Sequence, residues 1–158
     1  MTSRESEPVL GLFVFSIIVA FSLAIVPMPE WLGRFRPDWV ALVIIYWLMV
    51  RPRQVGIGAA WLVGLILDAL KSALLGQHAL AMAVVGFLAI RFRLRTRVFP
   101  VWQQMLSVSL MIAMYQFILY WIDGVSGQEI PLTDRLATVA ASALVWPFIS
   151  LILSTLRR

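Results

Sequence analysis

Six apolar runs, at 9–26, 38–50, 55–70, 78–90, 101–122 and 136–156, are separated by short breaks that carry proline, glycine or charge. A helix that crosses a bilayer needs about 20 apolar residues. The pattern therefore predicts an all-α integral membrane protein, a bundle of six transmembrane helices forming one domain over residues 1–158. The breaks have local causes. Pro27 and Pro29 stop the first run, and Arg51-Pro52-Arg53 stops the second, because proline has no N–H to continue the helical ladder. Lys71 to Gln77 reads as a tight turn that makes the third and fourth spans antiparallel neighbours.

The 38–50 run is short. At a rise of ~1.5 Å per residue it covers about 20 Å of a hydrocarbon layer roughly 30 Å thick. Neighbouring helices must shelter it or its flanking Trp and Arg must snorkel, and a re-entrant or interfacial segment is the alternative. Ser22 and Ala24 give the first run a small-x-small pattern like that of a signal peptide. Glu5 and Glu7 outnumber Arg4 ahead of it, however, so an uncleaved helix is expected.

Composition removes the soluble alternative. Of 158 residues, 61% are hydrophobic and only 13% charged, with a mean hydropathy of +0.91, whereas soluble domains carry about a quarter charged residues. The net charge of +5 lies in short clusters between apolar runs, which reports topology before it reports nucleic acid. With the amino terminus in the cytoplasm, nine basic residues fall inside (Arg4, Arg51, Arg53, Arg91, Arg93, Arg95, Arg97, Arg157 and Arg158). Four fall outside: Arg34, Arg36, Lys71 and Arg135. Both termini are thus expected to be cytoplasmic, and the segment from Asp123 to Arg135, with Glu129 and Asp134, external.

Catalytic chemistry is hard to find. There is no cysteine and one histidine, His78, and the chain lacks HExxH, P-loop and GxSxG patterns. The expectation is a protein that is not an enzyme and has no cofactor and no metal. What the sequence offers instead is packing. Gly56, Ala60, Gly64 and Asp68 recur every four residues and share one helical face, where small side chains let another helix approach, and with Trp146 and Pro147 they form the expected surface for helix packing or for a partner helix. Asp68 at depth must face protein or water, with Lys71 and Ser72 as local partners and binding of a partner as a further role. In the last span Trp146-Pro147 predicts a bend, downstream of a face made small by Ala137, Ala140, Ala141, Ser142 and Ala143.

Phe35-Arg36-Pro37-Asp38-Trp39 reads as a boundary motif. Trp39 would anchor at headgroup level, Asp38 would stabilise a helix start, and Arg36 would pair with Asp38, Asp68 or a lipid phosphate. Arg91, Arg93, Arg95 and Arg97 form a basic cluster just inside the membrane, suited to anionic lipid or to an acidic cytoplasmic partner. Gln103, Ser107 and Gln116 are candidates for hydrogen bonds between helices.

Taken in order, the string from Phe35 to Trp47, then Pro52, Gly56, Gly58, Gly64, Leu67-Asp68, Leu75-Gly76, Leu80, Trp102-Gln103-Gln104 and Trp146-Pro147, resembles the MreD family of rod shape-determining proteins over nearly the whole chain. The resemblance implies a non-enzymatic inner-membrane subunit of the bacterial elongation machinery. Its implied partners are MreC, the actin-like MreB, RodA and an elongation-specific penicillin-binding transpeptidase. It also implies a fold similar to the six-helix substrate-binding subunits of energy-coupling-factor transporters, without their ligand chemistry. Lys71 departs from the small residue expected at its turn. The reading kept beside this one is a transport subunit that binds a small molecule in a polar pocket near Asp38, Asp68 and His78.

Overall fold

The computed structural model describes residues 3–128 and 130–158, with side chains from residue 8 onward. Glu129 and the side chains of Arg4, Glu5 and Glu7, used above for topology, lie outside the described residues. The described chain is helical throughout: α1 (Ser3–Ile25), α2 (Glu30–Gly33), α3 (Trp39–Val50), α4 (Ile57–Leu70), α5 (Gln77–Val98), α6 (Val101–Ser126) and α7 (Leu132–Leu156). Among the described residues three stretches are long and apolar enough to cross a bilayer, namely Pro8–Ile25, Val101–Ser126 and Leu132–Leu156, and α3 and α4 are shorter apolar helices.

The shortest of the apolar helices is the centre of the fold. From Val40 to Met49 every residue of α3 is buried, and α5, α1, α7 and α6 pack around it. A helix that is apolar on all sides is stable only when enclosed. Enclosure by protein, rather than snorkelling, is what removes the length problem. Trp47 is fully buried. It meets Phe13 of α1 edge-on at 5.9 Å, and its Nε1 donates to Ser16 Oγ at 3.0 Å, which satisfies the indole in an apolar interior.

The outside of the bundle is as apolar as its core. On α6, Trp102, Leu106, Leu110, Met114, Phe117 and Trp121 are exposed in one stripe. Its two tryptophans lie about 28 Å apart along the helix axis, close to the hydrocarbon thickness at whose edges indole rings concentrate. Such a surface requires lipid.

Three boundaries differ from the sequence reading. Helix α5 does not stop at residue 90 but continues to Val98, so the basic cluster forms its last turns. Cationic side chains favour the negative carbonyl end of a helix and extend it. Helix α6 runs on to Ser126 and α7 begins at Leu132, because Asp123 and Arg135 are buried inside the bundle and do not mark its edge. The short helix α2, between Pro29 and the boundary motif, has no apolar periodicity to announce it.

Helices α4 and α5 form the closest pair. A β-carbon on Gly64 would stand 2.6 Å from Ala79 Cα and 2.6 Å from the His78 carbonyl oxygen, so only glycine permits this contact of backbones. The neighbouring atoms are main chain and have no rotamer to yield. Gly64→Ala should therefore destabilise the protein by about 1–3 kcal/mol, as overpacking does, measured by unfolding in detergent with SDS titration. Wild-type stability in Gly64→Ala would show that α5 shifts freely.

Candidate functional site

One end of the bundle gathers the last turn of α4 and the first turns of α5 and α7. The start of α3 and the second half of α6 join them there. The polar side chains that the sequence scatters over 100 residues meet at this end.

The chain enters α5 through Gly76, in the left-handed conformation (φ 96°), and Gly76 has no side chain to cap the helix. A helix start leaves several N–H groups without partners. Asp68, on the last turn of α4 and fully buried, supplies the missing acceptor. Its Oδ2 accepts from the Gly76 amide at 2.9 Å and the Ala79 amide at 3.3 Å, and its Oδ1 accepts from the His78 amide at 2.8 Å. His78 Nδ1 also lies 2.7 Å from Oδ1. Both oxygens already accept from main-chain N–H, so Nδ1 is the donor to Asp68 and Nε2 has no partner among the described residues. The positive end of α5 and the carboxylate stabilise each other.

Beside this cap runs a second network. Arg135, buried on the first turns of α7, donates through one nitrogen to Gln116 Oε1 at 2.9 Å and through another to Asp123 Oδ2. Gln77 Nε2 donates to the other Asp123 oxygen at 2.6 Å, and Gln116 Nε2 donates to Asp38 Oδ2 at 2.5 Å. The Asp38 amide donates to Ser142 Oγ at 3.0 Å. Four helices, α3, α5, α6 and α7, are tied by this chain of contacts, and Gln77 lies next to His78, so the cap on α4 joins it. A buried polar network of this kind holds helices in one arrangement, because each member stranded without a partner is costly.

Between these groups and the α2 segment lies a cavity of about 580 Å³, with Asp38, Lys71, His78, Tyr115, Gln116 and Arg135 on its wall. Among the described residues no three of His, Asp and Glu come together as metal ligands would.

Several expected roles change. Arg36 does not meet Asp38 or Asp68. Its guanidinium donates to the carbonyls of Leu23 at 3.1 Å and of Val26, closing the carbonyl end of α1. Asp38 stands at the start of α3 but makes no side-chain cap there, because its carboxylate is directed to Gln116. Lys71 and Ser72 are not the partners of Asp68. They are exposed while Asp68 points inward to α5.

Of the small-residue stripe, Ala60 and Gly64 are buried against α5 of this same chain, whereas Gly56 has open space where a side chain would be. Phe35 is exposed, Pro37 and Trp39 are half-buried, and so is Pro147, which α7 passes without ending. Trp146 is buried near Tyr46, with ring centroids 6.4 Å apart. Gln116 does bond between helices, but Ser107 turns back to the Gln103 carbonyl of its own helix at 3.0 Å. Asp123, Gln77 and Arg135 had no place among the expected site residues. The available signal was Arg135 itself, a cation on the side where few are expected and just inside a helix.

The family model described as rod shape-determining protein MreD matches residues 5–156. The chain belongs to the MreD family. It is 28% identical over 141 residues to the rod shape-determining protein MreD of Haemophilus influenzae, a match that covers 89% of this chain and 87% of that protein. No solved structure matches, so the likeness to energy-coupling-factor subunits rests on the sequence resemblance alone. As a member of this family the chain is a rod shape-determining membrane protein, and the polar site just described is the interior of such a protein.

Proposed function

We propose that this chain is a multi-pass subunit of the bacterial inner membrane, without enzymatic activity, that holds MreC and thereby supports lateral peptidoglycan synthesis alongside MreB, RodA and an elongation-specific penicillin-binding transpeptidase. The observation that carries the reading is the family match over residues 5–156 on a bundle with an apolar, lipid-facing perimeter. The end that holds the cavity faces outward and both termini face the cytoplasm, in line with the distribution of basic residues.

The surface that receives a partner helix must be exposed and small. Ala60 and Gly64 are enclosed, so a bulky residue at either tests the fold and not the partner. On α7, Ala140 is exposed with half-buried Ala137, Ala141 and Ala143 around it, and small residues on a lipid-facing helix allow close approach of another. We place the MreC transmembrane helix there.

The test is co-purification of MreC with tagged protein in mild detergent, comparing wild type with Ala140→Trp at equal membrane level. Wild type should recover MreC, and Ala140→Trp should recover several-fold less while unfolding at the wild-type temperature. Undiminished recovery by Ala140→Trp removes α7 from the interface. Failure of wild type to recover MreC in several detergents removes the scaffold reading.

A further inference from the structure

We propose that the cavity at the α5 start binds a zwitterionic group, an ammonium beside an anionic oxyacid, of the kind that ethanolamine phosphate carries. The inference goes beyond the scaffold reading and does not depend on it.

The cavity wall is built, and its free valences are specific. His78 and Tyr115 are both more than nine-tenths buried, their rings adjacent at 6.2 Å, and both face the cavity. The bond from Nδ1 to Asp68 fixes the imidazole and leaves Nε2 without a partner. Neither that nitrogen nor the Tyr115 hydroxyl has a hydrogen-bond partner among the described residues, and neither is among the fully enclosed unpartnered atoms. Asp38 uses one carboxylate oxygen on Gln116, and the other is unpartnered among the described residues. Three residues with unused hydrogen-bonding capacity therefore line one cavity.

Of the cations that line the same cavity, one has no partner among the described residues. Lys71 is exposed at the end of α4 and lines the same cavity as Asp38 and His78. It forms no ion pair among the described residues. The other cations are engaged: Arg135 with Asp123, Arg34 with Asp134 at 3.5 Å, and Arg36 with the α1 carbonyls.

A simple anion at Lys71 would face the Asp38 carboxylate, and a simple cation at Asp38 would face the Lys71 ammonium. A ligand carrying both signs a few ångströms apart satisfies each. The volume lies within the range of about 300–1,000 Å³ typical of small-molecule sites. The same chemistry has two sources, the headgroup of an ethanolamine phospholipid and a soluble amino-phosphate.

The experiment follows thermal unfolding of the delipidated protein in two arms. One titrates O-phosphoethanolamine against phosphocholine in a choline-free detergent. The other compares nanodiscs of phosphatidylcholine with nanodiscs containing phosphatidylethanolamine. Choline cannot donate hydrogen bonds, so the ethanolamine probe should raise the unfolding temperature and the choline probe should not. A rise in the soluble arm identifies a free ligand as sufficient, and a rise confined to nanodiscs identifies the lipid.

Tyr115→Phe and Lys71→Gln remove groups that hold nothing within the protein. Both should unfold at the wild-type temperature without probe and require about tenfold more probe for the same rise, the loss expected for one hydrogen bond to a charged group. Equal response to ethanolamine and choline probes, no response in either arm, or wild-type response in both variants overturns the proposal.

Discussion

Asp68→Ala should lower the free energy of unfolding by about 3 kcal/mol or more, because one carboxylate supports four hydrogen bonds and each is worth about 1 kcal/mol in a membrane interior. The three amides it serves belong to the start of α5, and alanine leaves them without the acceptor that the carboxylate supplies. The His78 ring loses its orientation with them. Asp68→Asn keeps one acceptor oxygen and should lose about half as much. The measurement is SDS-titrated unfolding in detergent, with hydrogen exchange at Gly76 to Ala79 as the local readout. Fast exchange confined to these amides is the expected signature. Unaltered exchange there in Asp68→Ala would mean that the cap is not what holds the helix start.

Arg135→Ala should cost about 3–5 kcal/mol, the penalty for leaving a buried carboxylate without its cation. Asp123 is buried and would retain only Gln77, while Gln116 would lose the donor that fixes its amide. Removing both charges, as in Arg135→Met with Asp123→Leu, should cost less than Arg135→Ala alone, because no unpaired charge remains. Arg135→Lys should recover only part of the loss. The guanidinium reaches Gln116 and Asp123 with two nitrogens at fixed separation, and an ammonium cannot make that fork. A double mutant as unstable as the sum of the two single changes would show that the pair acts independently and that the network account is wrong. Because Gln116 also holds Asp38, Arg135→Ala should loosen the start of α3 as well.

Both experiments concern residues whose importance was unequally visible. Asp68 announced itself, since a carboxylate near the end of an apolar run has to face something other than lipid. Its partners did not. Lys71 and Ser72 lie within reach along the chain, and the sequence offers no way to know that the turn folds back to bring the backbone of Gly76 to Ala79 over the carboxylate. Arg135 was counted as a loop charge, because a positive residue near an apolar run is by base rate at the membrane edge. Only its pairing with Asp123 across the α6–α7 turn takes it inside. The small-residue stripe was legible as a packing face, but Gly64 and Ala60 are matched to α5 within the chain, which removes them as an outer docking surface.

What the chain determined by itself is the solvent, the helical class, the family and the approximate place of each apolar segment. These follow from local properties: hydropathy summed over a window, proline at the breaks, and motifs in a fixed order. The tertiary structure decided the rest. It made the short α3 the centre of the bundle, since burial on every side is a property of the neighbours and not of the helix. It joined Asp38, Gln77, Gln116, Asp123 and Arg135 into one network. Hydrogen bonds between residues up to 104 positions apart depend on how helices cross, and no local pattern in an apolar sequence records that.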